Sequence, residues 1–485
     1  MKLKIHRNHP NPAQGSVMII TLTVMTILVV LVGSYLVLVQ GQSASVARSQ
    51  NWNSALPVTE AGLEEGLALI NKGAPDIITD PWAWTNGITA DGWPGFVNGR
   101  TSITRSNISG SGSSYTITLN ITGPTPVLTC AGMVPLTSVP WVYGSGSFAL
   151  APRPYPYPFV AAVGVTQLAA NTVAVGRRVV LQTVLNPLFS VAVLTRSNIN
   201  LNGKNVVVGS FNSTNPLYSV LGQYDPLLAM TNGGDIATDS SIVGDVNIGN
   251  ASIYGHVYTG PGTVQSSVQV GAKGAIGDAT WVNGGNSGIE SNYWSGDFNM
   301  AVPDVPAPTF VGQGLPGITN GAYNLNGGTY ATAGSLNAPL NITGPTVLWL
   351  QNSFSQGITI AATNNASLVL YIGTTNGSGD SVTIGGNGAL NSPGYAKNLQ
   401  IYGLPSLTSI SLSGNAAFAG TIYAPEADVT GGGGGNNNTT DTSGSIIAKS
   451  LTLNGHWNFH YDQSLKTAGP TRGWVPSAWT EQKYP

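Results

Sequence analysis

Charge is what this chain has least of. Of its 485 residues only 8% are Asp, Glu, Lys or Arg, where ordinary globular chains carry about 25%. The formal net charge is −2, and no basic patch is present to hold nucleic acid, so a nucleic-acid partner is excluded. A single cysteine, Cys130, excludes an internal disulfide framework and reads as a small buried residue rather than a nucleophile. Catalytic signatures are missing too: there is no G-x-S-x-G elbow, no phosphate-binding loop and no His–Cys pair. The expectation is a non-enzyme with no catalytic residue, no metal and no cofactor. In place of charge there are 63 glycines and many Asn, Ser and Thr residues, which solvate a surface through amides and hydroxyls.

One stretch departs from this texture. Residues 16–39 carry no charge, and no Asp, Glu, Lys or Arg occurs between Arg7 and Arg48. As a helix the run is about 36 Å long, enough to cross a hydrocarbon core. Within lipid each backbone amide must be satisfied inside the segment, which dictates a helix despite the many Val, Ile and Thr residues. Val17, Ile20, Leu28, Leu31 and Leu36 are its lipid- or helix-facing candidates.

The preceding residues are short and basic, with Lys2, Lys4 and Arg7, and they end in Gln14-Gly15-Ser16. A secretory signal would place a small-residue cleavage site after a shorter apolar core. Here the small-residue junction stands before it. Basic residues on this side keep the N-terminus in the cytoplasm and send the bulk of the chain across the inner membrane, as periplasmic or extracellular mass.

A second stretch follows, with Leu56, Leu63, Leu67 and Ile70 on one helical stripe. Pro57 should kink or interrupt this helix, and Gly73 and Pro75 should end it. Leader, Gly15-Ser16 junction, apolar helix and the segment Glu60-Ala61-Gly62-Leu63 together resemble the N-terminal region of PilX-like type IV minor pilins and pseudopilins. That resemblance implies a prepilin peptidase cutting after Gly15, a mature chain starting at Ser16, and a helix retained as membrane anchor and filament core. Its other implied partners are pilin or pseudopilin subunits and the lipid bilayer; a surface glycan is an expected partner on other grounds, given below. The family's usual Glu at the fifth mature position is replaced by Ile20, which speaks against a major-subunit role.

Beyond the helix the passage Asp80-Pro-Trp82-Ala-Trp84 to Asp91-Gly-Trp93-Pro-Gly is either a sugar-binding surface or a buried cover over a small core. From residue 100 the period becomes two. Ser102 to Ile108 and Ser114 to Ile121 alternate around a Gly/Ser turn as a hairpin, Arg177 to Val184 reads as one more strand, and Arg153-Pro-Tyr-Pro-Tyr-Pro158 as extended polyproline.

After Val191 short apolar triplets alternate with Gly, Asn and Asp: Ile199 to Leu201, Val206 to Val208, Ile242 to Val246, Ile253 to Val257 and Val268 to Val270. Gly244-Asp-Val246 recurs as Gly255-His-Val257, and Gly420-Thr-Ile-Tyr-Ala424 as Gly444-Ser-Ile-Ile-Ala448. This predicts coils of a parallel β-helix, with Leu368, Leu370 and Ile372 inward, and Gly or Asn at corners needing positive φ. Ala301-Val-Pro-Asp-Val-Pro-Ala-Pro308 reads as a stiff connection between two sets of coils. The last fifty residues of this region also resemble the C-terminal domain of some PilX-like envelope proteins.

The expected fold is therefore α+β and mostly β. Its divisions are a leader (1–15), a transmembrane and amphipathic helix (16–74), a β-rich module (75–194), a β-helix-like domain (195–465) and a C-terminal tail (466–485). His456 and His460 have a metal-like spacing, but on a strand they stand roughly 13 Å apart, which favours a structural role. Glu426 with Asp428, and Asp235 with Asp239, read as solvated loop carboxylates. Two functions remain open: a structural minor pilin-like subunit for pilus or pseudopilus assembly or adhesion, or a signal-anchored envelope β-helix that binds or cleaves polysaccharide.

Overall fold

The charge-free run does build a helix. The computed structural model describes residues 12–72, 85, 88–108, 113–121, 158–166, 174–203, 206–225, 228, 232–362, 365–375, 377, 379–385, 389–392, 394–413, 418–433, 440–468 and 470–482. Cys130, Trp82, Trp84 and the Arg153–Tyr157 stretch lie outside them. Helix α1 (Pro12–Ile70) is a single element of 59 residues. Of the expected kink or interruption at Pro57, the interruption does not occur. The carbonyl that Pro57 leaves without an amide belongs to Asn53, which faces solvent and can be met by water. One turn on, Thr59 is tied back to the Ala55 carbonyl at 2.7 Å.

The upper end of α1 lies on an antiparallel sheet. Its strands β1 (Arg100–Ile108), β2 (Ser113–Asn120), β3 (Phe159–Thr166) and β4 (Val175–Pro187) follow in order, and the hairpin register sets Ile103 opposite Ile117. The fifth strand is Thr471–Gln482, from the stretch expected to be a tail; it pairs antiparallel with β4, Trp479 opposite Leu181. Under the helix, Ile117, Leu119, Val160, Ala162, Leu181 and Trp474 form one apolar core with Leu63, Leu69 and Ile70. Trp93 is part of it, so at this position the buried-cover alternative holds.

The expected leucine stripe only partly describes the contact. Leu63 and Ile70 are buried but Leu56 and Leu67 only half so, and the centre of the buried face is Asn51, Ala55, Thr59, Gly62 and Gly66. Small residues let helix and sheet approach closely. A Cβ at Gly62 would sit 3.1 Å from both Ala162 Cβ and Tyr115 Cδ2, and one at Gly66 would overlap Val160 Cγ1. Ala normally outranks Gly in a helix by about 1 kcal/mol; here the sign should reverse. Gly66→Ala is expected to cost about 1–3 kcal/mol in urea unfolding, while Gly41→Ala, where nothing lies within 4 Å, should cost nothing. Equal stability of the two variants would refute the close contact.

The remaining strands form a 24-stranded sheet, and every pairing described within it is parallel. They fall into columns. One inward row runs Leu348, Leu370, Ile401, Ile422, Ile446, Val193, Ile236 and Val257 on successive strands. A second runs Val382, Ile410, Val429, Leu451, Ile199, Val246 and Val268. A third joins Phe418 and Thr442 through Phe459 to Val208, Ile253 and Ile276. One continuous apolar core serves all of them. Leu368, Leu370 and Ile372 point into it as expected, and Gly420 and Gly444 are direct register partners. The Gly244/Gly255 repeat is different: Val246 and Val257 occupy different columns, so it marks a step around the core, not a full turn. Ile242 and Val243, expected inward, are 68% and 71% exposed at a corner.

The order of strands does not follow the chain. The strand Val193–Thr195 lies mid-sheet, between Ile236–Thr238 and the late strand Thr440–Gly455. Residues 193–295 therefore build outward in one direction, the chain returns, and residues 323–462 build back from the far end to meet the first coil. The return segment contains Ala301 to Pro308 and covers an outward aromatic row, Trp349, Tyr371, Tyr402 and Tyr423. Its Pro303 carbonyl accepts from Tyr423 Oη at 2.6 Å, Phe310 packs edge-on against Tyr371, and Val302 and Val305 are buried.

Candidate functional site

The sequence pointed to the helix, and the structure divides it sharply in two. Between Val17 and Gln50 no described side chain is buried; Val17, Ile20, Leu28, Leu31 and Leu36 are each 53–60% exposed. The most apolar window has a mean hydropathy of 2.6. By length and composition this is one N-terminal apolar helix able to serve as a single-pass membrane anchor. Gly15 and Ser16 lie within its first turns.

Above Gln50 the same helix is clamped. Thr59 Oγ1 accepts from the Gly164 amide at 3.1 Å, and Thr166 Oγ1 donates to the Asn51 carbonyl at 2.8 Å. At the end of the helix the Asn71 side-chain amide donates to the Trp474 carbonyl at 2.8 Å and accepts from its N–H at 2.6 Å. Chain positions some four hundred residues apart are thereby locked together. On the flank, Glu65 accepts from Arg105 Nη2 at 2.7 Å and from Tyr115 Oη at 2.8 Å. Burial alone would raise the Glu65 carboxyl, but the bonds from Arg105 and Tyr115 outweigh it and hold it low. Burial and the same carboxylate push the Tyr115 phenol up to about 12. In the segment Glu60 to Leu63, Gly62 and Leu63 face the sheet, Ala61 is half-buried and Glu60 faces solvent.

The other candidates separate into structural roles. Glu426 pairs with Arg196, which also holds Asp304 at 2.7 Å. Asp428 accepts from Ser450 Oγ at 2.6 Å, and Asp239 from the Met300 amide at 3.0 Å. All of these fasten the return segment or neighbouring strands. His456 and His460 do not converge: His460 lies in the strand Trp457–Asp462 and His456 just before it. His460 is 1% exposed, its Nε2 lies 3.1 Å from Asp441 Oδ1, and its ring is stacked on Tyr224.

This histidine joins the late strands to the first coil, so its titration bears on closure of the sheet. Burial pushes the His460 imidazole below its ordinary value, and the Asp441 bond restores only part of that. The folded chain thus takes up this proton at lower pH than the unfolded chain does. Stability is full above the unfolded value of about 6.5 and falls as pH drops below it. The melting temperature of the full chain in detergent should decline between pH 7 and pH 5, and His460→Gln should flatten that decline. A parent curve flat over this range would contradict the assignment.

Residues 299–468 match a family described as a domain of unknown function, DUF7305. That span begins with the return segment and ends just before the final strand, so it contains the far half of the parallel sheet. No curated protein matches the chain. Among solved structures, the chain is similar to the competence-associated pilin ComZ from Thermus thermophilus, at 12% identity over 88% of this chain and 97% of that one, with a TM-score of 0.29. It is also similar to the DUF3494 domain of an ice-binding protein from Shewanella frigidimarina, at 12% identity over 57% and 99%, with a TM-score of 0.24. At these scores neither likeness bears on mechanism.

What sequence reading missed in this region is the small-residue seat of the helix and strand β3. The signal was there in Ala55, Gly62 and Gly66 at spacings of seven and four, but leucine spacing dominated it.

Proposed function

We propose that the chain is a membrane-anchored, PilX-like minor pilin subunit contributing to pilus or pseudopilus assembly or to surface adhesion. The observation that carries this reading is the contrast along α1: bare from Val17 to about Gln50 and apolar as far as Val39, clamped to its own sheet above that. An apolar helix without intrachain cover requires lipid, other apolar helices, or both. In this reading a prepilin peptidase cuts between Gly15 and Ser16 with the N-terminus in the cytoplasm, and the lower helix packs among those of other pilin or pseudopilin subunits.

The parallel columns support a further step: the sheet closes on itself as a β-helix, because all its inward rows share one core. This unit is carried outward on the clamped end of α1. The role is structural rather than enzymatic, since Glu426, Asp428 and Asp239 are all engaged in holding strands and the return segment. The N-terminal residue of the protein recovered from membranes tests the proposal: Ser16 supports it, and an uncut Met1 overturns it.

A further inference from the structure

The outer end of the first set of coils carries an aromatic strip that the core covers only in part. Just before the terminal strand Trp294–Ser295, the Tyr293 ring is stacked on His256 at 4.5 Å and 13°. Tyr258 continues the strip beyond His256 at 5.8 Å, and Phe298 beyond that at 5.9 Å. The rings are held rigidly. His256 is fixed by Asp235 Oδ1, which accepts from its amide at 2.7 Å and lies 3.1 Å from its Nδ1. Tyr293 ends the stack: among the described residues no further ring covers its second face.

The same end of the coils carries hydrogen-bonding groups with capacity to spare. Glu290 uses one carboxylate oxygen to accept from the Asp278 amide at 2.8 Å, and its other has no partner among the described residues. Asn283 accepts from Tyr254 Oη at 2.8 Å, and its amide N–H groups have no partner among the described residues. Nor does His256 Nε2 among the described residues. The Tyr293 amide donates to the Glu290 carbonyl at 3.1 Å; burial, then the charges of Asp278, Glu290 and Asp235, raise its phenol.

We infer that the Tyr293 corner binds a neutral sugar unit of a surface polysaccharide. A pyranose presents an apolar C–H face suited to the uncovered face of a half-buried aromatic ring, and rim hydroxyls that both donate and accept. The unused groups here are likewise mixed, with an acceptor on Glu290 and donors on Asn283. A purely cationic ligand would need acceptors alone. An anionic ligand would need Lys or Arg, and no described ion pair or cation–ring contact brings one to Tyr293, Asp278 or Glu290. An apolar peptide would strand the polar rim. This site does not depend on how the helix is processed or assembled.

The test uses the full chain in detergent, titrated by calorimetry and Trp fluorescence with cellohexaose, maltohexaose and chitohexaose, and with hexalysine and hexagalacturonate as charged probes. The inference expects at least one neutral hexasaccharide to bind. Tyr293→Ala should weaken it tenfold or more, Tyr293→Phe should retain it, and Glu290→Gln should weaken it less than Tyr293→Ala does. Circular dichroism establishes that each variant is folded. Binding of only a charged probe, no binding of any neutral probe, or a folded Tyr293→Ala that binds like the parent would each overturn the site.

Discussion

Gly15→Ala is expected to leave the chain at its full length in the membrane, while the parent begins at Ser16. The physical argument concerns where a peptidase can act. The junction lies at the start of α1, on the basic side of the charge-free run, which in the proposed orientation Lys2, Lys4 and Arg7 keep at the cytoplasmic face. Cleavage there removes the basic leader and leaves residues 16–39 intact as an anchor. Cleavage at any site after the run would free the head from the membrane instead. Intact mass and N-terminal sequencing distinguish these outcomes completely, since the leader is either present or absent. Unprocessed chains should remain inserted but fail to enter assemblies with other subunits, because the retained cations would be dragged along the apolar packing surface. If the parent itself keeps Met1, the pilin-like reading falls, while the anchor and the saccharide site stand.

The second large effect lies in the parallel sheet. Gly444 has φ of +130°, a backbone region essentially restricted to glycine. It is the register partner of Gly420, and a Cβ on it would overlap the Gly420 carbonyl oxygen. Neither strand can yield: Ile422 and Ile446, two residues further along, are locked in the core beside each other. Strain and overlap together should cost about 3 kcal/mol or more in Gly444→Ala. Gly432→Ala is the control, since nothing lies within 4 Å of a Cβ there; it should change stability by no more than about 0.5 kcal/mol. Thermal unfolding of the two variants side by side decides the matter. A Gly444→Ala chain that melts with the parent would mean that these strands do not pair in this register.

Much of this architecture was legible because local chemistry announces itself locally. An uncharged run flanked by basic residues leaves few alternatives to a membrane helix, and alternation around a Gly/Ser turn produced the hairpin of β1 and β2. The Gly420 and Gly444 segments are near copies because adjacent turns of one core impose the same demands. Other features depend on contacts far apart in the chain. Nothing near Thr471 says that it will extend a sheet begun at Arg100; the ladder with β4 and the mutual amide bonds of Asn71 and Trp474 exist only once the chain has folded. The Gly244 and Gly255 copies misled because two corners of one turn need similar residues. Leu56 and Leu67 satisfied the helical period yet sit at the flanks, since the closest approach to a sheet selects the smallest residues on the stripe. The Tyr293 corner stayed hidden because its rings come from separate coils and become neighbours only when stacked.

The placement of Val193 between Ile236 and Ile446 has a consequence for how the protein is made. Residues 193–295 emerge first during synthesis, but the strand at their inner edge finds its second partner only when residues 440–462 have followed. Until then the nascent chain carries an unpaired parallel edge of small apolar residues, the kind of surface that invites pairing with another copy. The contact that removes it spans more than two hundred residues, so the loop-closure entropy is met late and completion should be slow. For a chain delivered across a membrane and tethered by α1, the anchor keeps each copy apart from its neighbours while that edge waits. The helix that holds the mature protein in place would then also act earlier, as a guard against premature association.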